Sequence, residues 1–104
     1  MQKRNMPSAI GERVRKLRGM AAISARELDR LAGISESHTS LLERSIGDRI
    51  SARTAVAIAR VLGSSLDWLL TGRGLEPTPE RVKEAVSSAR KPPDPPRESV
   101  HPVA

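Results

Sequence analysis

The sequence predicts an all-α fold: a compact bundle of five short helices, followed by a candidate short sixth helix and a Pro-rich C-terminal tail. Three observations carry this prediction. Apolar residues recur at helical spacing through residues 8–72, most cleanly as Ala55, Ile58, Ala59 and Leu62 at i, i+3, i+4 and i+7. Serines and glycines bracket these segments, at the places where caps and left-handed stops belong. No segment shows the apolar–polar alternation of a half-buried strand.

Composition bounds the rest. A chain of 104 residues holds one domain, or one domain and a tail. With 38% hydrophobic residues, one Trp and no Phe or Tyr, the core must be aliphatic, and small, because short chains bury a modest fraction of their surface. The absence of cysteine excludes disulfides and thiolate metal sites and fits a reducing cytosol. No apolar run approaches the length that spans a bilayer. The opening MQKRNMPSAIGER has charges without a following apolar run, which is not the pattern of a signal peptide. A cytoplasmic protein without membrane contact is expected.

The net charge of +6 is unevenly placed. Residues 1–74 carry thirteen Lys or Arg against seven Asp or Glu, whereas residues 75–104 carry five of each. All the excess therefore sits on the expected helical domain. Such a balance suits a polyanion binder, in which neutralised phosphates release counterions. It equally suits a merely basic, well-solvated surface.

In chain order, residues 1–7 form a basic arm with Lys3, Arg4 and Pro7. Ser8 caps a first helix over about 8–20, with Ile10, Val14 and Leu17 on its apolar stripe and Arg13, Arg15, Lys16 and Arg18 on the other faces. The run Gly19-Met20-Ala21-Ala22 ends it. A helix pair follows over 23–44. Ser24 with Glu27 three residues later is a capping-box pattern, Leu28, Leu31 and Ala32 form an apolar face, and Gly33 is a left-handed stop. Ile34 buries at the turn, and Ser35 caps a second helix, 35–44, that buries Leu42. Two short helices closing over a glycine turn make a helix-turn-helix, whose DNA-binding versions lay the second helix in the major groove. Any small bundle contains such pairs, so the motif alone does not separate the two.

After the loop 45–50, Ser51 caps a fourth helix over 52–62 that Gly63 stops. Ser65 caps a fifth, short helix carrying Leu66, Leu69 and Leu70 up to Gly72. Trp68, in its first turn, packs on the bundle or at a dimer contact. Beyond Gly74 the composition shifts, and seven of the eight prolines fall there. Thr78-Pro79 opens a candidate helix to about Arg90 with a thin stripe of Val82, Ala85, Val86 and Ala89; it can dock on the domain or on a second copy. The final KPPDPPRESVHPVA has no means of building a core and reads as disordered. The chain thus divides into an arm (1–7), a helical domain (8–74), an accessory helix (75–91) and a tail (92–104).

The region from Ile10 to Gly72 resembles the Cro and lambda-repressor-like, or Xre-type, helix-turn-helix family. The strings IGERVRKLR, ELDRLAGIS, LLER and IARVLGSSLDWLLTG carry the likeness and are spaced without insertions. The resemblance implies a partly buried ion pair between Arg18 and Glu43. It implies phosphate contacts at the start of the second helix, at Ser24 and Ala25. The family usually has a glutamine where Ala25 stands, and Arg26 beside it can compensate. Base edges would be read by Ser35, Glu36, Ser37, Ser40 and Leu41, with Arg44 and Arg49 on the backbone and the Lys3–Arg4 arm reaching further along it.

This sequence also departs from the family. Before Arg44 the third helix has no Lys, Arg, Asn or Gln, the usual bidentate readers of bases. Glu36 can accept from a cytosine amino group and Leu41 can touch a thymine methyl. Thr39 stands where a larger aliphatic is usual, and its hydroxyl is placed to bond back to the Ser35 carbonyl. Ser45 replaces a common glycine. His38 reads as a phosphate contact or a plain surface histidine; a metal site is disfavoured because the only other imidazole is His101.

The expected function is a sequence-specific, repressor-like regulator of transcription, bacterial or phage-encoded, binding double-stranded DNA as a homodimer with no cofactor and no metal. The alternative is a protein-interaction module, such as an antitoxin, adaptor or co-regulator, that keeps the fold and works through Leu41 or the 79–90 helix. An enzyme is not expected, since no clustered His with acidic partners, Ser-His-Asp set or Gly-rich phosphate loop is present.

Overall fold

The computed structural model describes residues 9–44 and 49–91. The basic arm, the Ser8 cap, Ser45 with most of its loop, and the Pro-rich tail with His101 lie outside the described residues. Among the described residues there are six helices and no strand: α1 Ala9–Ala21, α2 Ala25–Ala32, α3 His38–Arg44, α4 Ala52–Leu62, α5 Leu66–Thr71 and α6 Pro79–Arg90.

Local chemistry sets most of the ends. The hydroxyls of Ser24, Ser51, Ser65 and Thr78 each accept the backbone N–H three residues on, from Glu27, Thr54, Trp68 and Arg81. Gly33 and Gly63 close α2 and α4 with φ of 69° and 70°, which a residue without Cβ adopts without cost. The end of α1 falls inside the expected run, Gly19 to Ala22. The helix runs through Gly19 to Ala21, and Ala22 takes the left-handed position at φ 55° while Ile23 N–H donates to the Arg18 carbonyl at 3.2 Å. That bond closes the last turn without a glycine.

The core is aliphatic. Val14 and Leu17 of α1, Leu28 of α2, Ile58 and Leu62 of α4 and Leu69 of α5 are all fully enclosed, with Trp68 as the one aromatic member. Trp68 therefore packs on the bundle, and the Arg13 guanidinium lies 5.9 Å from its ring centre. Arg13 also donates to the carbonyls of Leu69 and Leu70 at 2.8 and 3.0 Å, tying α1 to the end of α5.

The sixth helix packs on α1 and α4 of the same chain. Its Val82 and Val86 are buried in the common core, contributing about 1.5–3 kcal/mol each by area. Polar contacts hold both its ends. Arg81 donates to the Gly63 carbonyl at 3.1 Å, and Arg90 reaches the Glu27 carboxylate on α2 at 2.7 and 2.9 Å. Glu27 is thus turned to α6 rather than back to Ser24 as a capping box requires. Just before α6, Glu76 pairs with Lys16 of α1 at 2.9 Å.

Candidate nucleic-acid interface

The helix-turn-helix is α2, the turn at Gly33 and α3. Its two helices are held at both ends. Behind α3, Arg18 forks onto Glu43, Nε to Oε2 at 2.8 Å and Nη2 to Oε1 at 2.9 Å. In front, Asp29 of α2 reaches across the turn. Its Oδ1 accepts from Thr39 N–H at 2.8 Å and its Oδ2 from Ser37 N–H at 2.9 Å. Asp29 is only 3% exposed, and these bonds to the N-terminus of α3 are what make a buried carboxylate tolerable.

The start of α3 corrects the sequence reading. Ser35 is not its cap, and the helix begins at His38 instead of 35. Residues 35–37 form an irregular approach in which Ser37 has φ 75°. The His38 N–H donates to the Ser35 carbonyl, occupying the acceptor expected for Thr39. The Thr39 hydroxyl itself is fully buried with no hydrogen-bond partner, so the expected bond from it to Ser35 is not made.

This start decides which side chains face outward. Thr39, Leu42 and Glu43 are buried against the bundle. Within the helix Ser40, Leu41 and Arg44 lie on one side, Leu41 and Arg44 exposed and Ser40 half-exposed. The exposed Ser37, just before the helix, lines the same groove as Ser40 and Arg44. Leu41 is 58% exposed, large for an isolated leucine. His38 is half-buried at the first position of α3. Among the described residues no group of three or more His, Cys, Asp or Glu is placed to hold a metal ion.

A groove of about 370 Å³ runs along this unit, lined by Arg15, Arg18, Ala25, Ser37, Ser40, Glu43 and Arg44. It brings the start of α2 next to the outward face of α3, with an arginine from α1 at its rim. Arg15 was missed as a site residue by sequence reasoning. Its spacing of three from Arg18 was the available signal, since i and i+3 share a side of a helix. Asp29 was also missed: between Leu28 and Arg30 it reads as an ordinary solvated position.

A second groove, about 580 Å³, is lined by Ser24, Arg26, Glu27, Asp29, Arg30, Ile34 and Glu36. Here Arg26 and Glu36, both highly exposed, form an ion pair at 3.2 Å. The two residues read from sequence as a separate phosphate contact and base contact are therefore joined to each other. None of the three carboxylates nearest α3 among the described residues stands free: Glu36 is paired with Arg26, Glu43 with Arg18, and Asp29 accepts from the Ser37 and Thr39 N–H groups. Arg44 donates to the Ser40 carbonyl at 3.3 Å, and Arg49 is exposed in the following loop.

Comparison with known families adds one finding. A family model described as helix-turn-helix, of the Cro and C1 type, matches residues 14–69, just over half of the chain. The match begins inside α1, takes in the whole α2–turn–α3 unit and ends within α5. No curated protein and no solved structure matches the chain. No helix among the described residues is long and apolar enough to cross a membrane.

Proposed function

The chain belongs to the Cro/C1-type helix-turn-helix family, a family of DNA-binding regulatory domains, and on that premise we propose a sequence-specific, repressor-like regulator that reads the major groove with α3. One observation carries the reading. The outward face of α3 is a stripe of Ser37, Ser40, Leu41 and Arg44 without an unpaired carboxylate, beside a groove edged by Arg15 and the first turn of α2. In this reading Leu41 packs on a thymine methyl, while Ser37 and Ser40 donate to or accept from base edges. Ser24 and Ala25 present backbone amides to one phosphate, which the positive end of the α2 dipole favours. Arg15, Arg44 and Arg49 meet the flanking phosphates, and His38 lies near them.

Arg26 has two uses. It can hold Glu36 in place to accept from a cytosine amino group, and while paired it keeps Glu36 from repelling the backbone; or it can leave Glu36 for a phosphate, at the loss of that shielding. A homodimer would place two copies of α3 in successive major grooves about 34 Å apart, and repression would follow from occupancy of the operator.

The 58% exposure of Leu41 also favours a second reading, a protein-interaction module that has given up DNA. Selection from random duplexes at physiological salt, with sizing of the free protein, separates the two. Enrichment of a palindromic motif supports the regulator; no enrichment overturns it in favour of the module.

A further inference from the structure

The cap of α3 comes from another helix. Ser37 and Thr39 give their N–H groups to the two oxygens of Asp29, eight and ten residues earlier in α2. Those bonds satisfy two of the amides that a helix start leaves open, and the carboxylate sits at the positive end of the α3 dipole. Ser37, whose N–H meets Oδ2, is in the left-handed region at φ 75°, a conformation disfavoured for any residue with a Cβ. Something must hold it there, and the buried Asp29 oxygen is the contact that does so.

We propose that Asp29 is a positioning residue for base reading: its carboxylate sets where α3 begins and hence which side chains reach the groove. The proposal rests on the DNA reading given above. Ser35 and Glu36 stand directly before the kink at Ser37, and Ser35 is a residue type that caps helices well. Without the pull of Asp29 on Ser37, that residue relaxes to the right-handed region and α3 extends backwards to Ser35. Glu36 then joins the helix, its ion pair with Arg26 is disturbed, and its carboxylate is aimed differently at the groove. With Asp29 in place, Glu36 stays off the helix, held by Arg26, and Ser37 stands directly before the helical part of the stripe. Asp29 touches no DNA in this account; it acts through the backbone of the residues that do.

The test uses the full chain with Asp29→Asn, which keeps the shape but one acceptor oxygen, and Asp29→Ala. Backbone chemical shifts locate the start of α3, amide exchange reads Ser37 and Thr39, and random-duplex selection reads base preference. In Asp29→Asn, exchange at Ser37 or Thr39 is expected to quicken by about tenfold, with Leu42–Arg44 unchanged. Helical shifts are expected to extend to Glu36, and the selected motif to change at the base pairs under Ser37 while those under Leu41 and Arg44 are kept. A variant that melts lower yet selects the wild-type motif with the same discrimination overturns the proposal and leaves Asp29 a cap for stability alone. If the wild type enriches no motif, the DNA reading fails on its own. The hold on the helix start is then judged by the shifts, and a start that remains at His38 in Asp29→Asn overturns it. Should Asp29→Ala not fold, the isosteric Asp29→Asn decides.

Discussion

Arg18 and Glu43 face each other in a forked pair, with both nitrogen–oxygen distances under 3 Å, and the third nitrogen of the guanidinium donates to the Ile23 carbonyl at 2.8 Å. One side chain of α1 thus joins the C-terminal end of α3 to the turn that leads into α2. The hydrogen bonding to Glu43 raises the Arg18 pKa, with burial opposing and the charge of Glu43 adding to it, so the guanidinium stays charged. Arg18→Ala leaves the Glu43 carboxylate, 8% exposed, without its partner. The expected cost is about 2–4 kcal/mol, which lowers the melting temperature by on the order of 10 °C or more. Thermal unfolding followed by circular dichroism checks this, and an unchanged curve would contradict it.

A second pair joins α6 to α2. The hydrogen bond from Arg90 holds the Glu27 carboxyl below the usual carboxylate range; partial burial opposes it, and the charges of Arg90 and Arg30 add to it. A lowered carboxylate pKa stabilises the fold above the ordinary glutamate value of about 4.3, and that contribution is lost as pH falls through the lowered value. Wild type and Arg90→Gln are therefore expected to differ slightly in melting temperature at pH 6–7, because the pair is surface-exposed. The difference should close as the pH is taken below about 4. A gap that stays constant down to pH 2 would show that the pair contributes nothing through ionised Glu27.

Two glycines with nearly the same φ should respond differently to alanine. At Gly33 a Cβ meets nothing within 4 Å, so Gly33→Ala carries only the left-handed strain, about 1 kcal/mol. At Gly63 a Cβ would come within 2.9 Å of the Ala85 Cβ and 3.2 Å of the Arg81 carbonyl, and α6 must move away. Overpacking of this kind adds about 1–3 kcal/mol. Urea unfolding midpoints should rank wild type above Gly33→Ala above Gly63→Ala; equal losses at the two sites would mean that α6 is not seated on the α4 terminus.

Thr39→Val tests the orphaned hydroxyl. The Thr39 oxygen is buried without a partner, so removing it at constant shape should raise stability by about 1 kcal/mol. Chemical denaturation measures it, and a loss of stability would reveal a partner for the hydroxyl.

These features differ in how much the sequence discloses. Caps at Ser24, Ser51, Ser65 and Thr78, and stops at Gly33 and Gly63, are local: donor and acceptor lie within a few residues, so residue type and spacing suffice to place them. The core stripes of α1 and α4 are legible for the same reason. The start of α3 is not. Ser35 is a residue type that caps well, yet Asp29 reaches across the turn to the N–H groups of Ser37 and Thr39 and wins by offering two oxygens to two amides. The seat of α6 is equally hidden, because Arg90 and Glu27 are 63 residues apart and their pairing depends on the bundle having formed. At the candidate interface, residue type identifies Ser40, Leu41 and Arg44 once their helix is known. The coupling of Arg26 to Glu36 across the turn and the approach of Arg15 to Ala25 follow only from the packed arrangement.

The central claim is that the α3 stripe sits on DNA between arginines that neutralise phosphates, and the salt dependence of binding tests it most directly. For the selected duplex, log Kd should rise steeply with log salt, by about 0.9 for each phosphate neutralised. Arg44→Ala or Arg15→Ala should reduce that slope by about one per bound copy with little change in base preference. A slope near zero in the wild type, or one that neither substitution alters, would contradict the account.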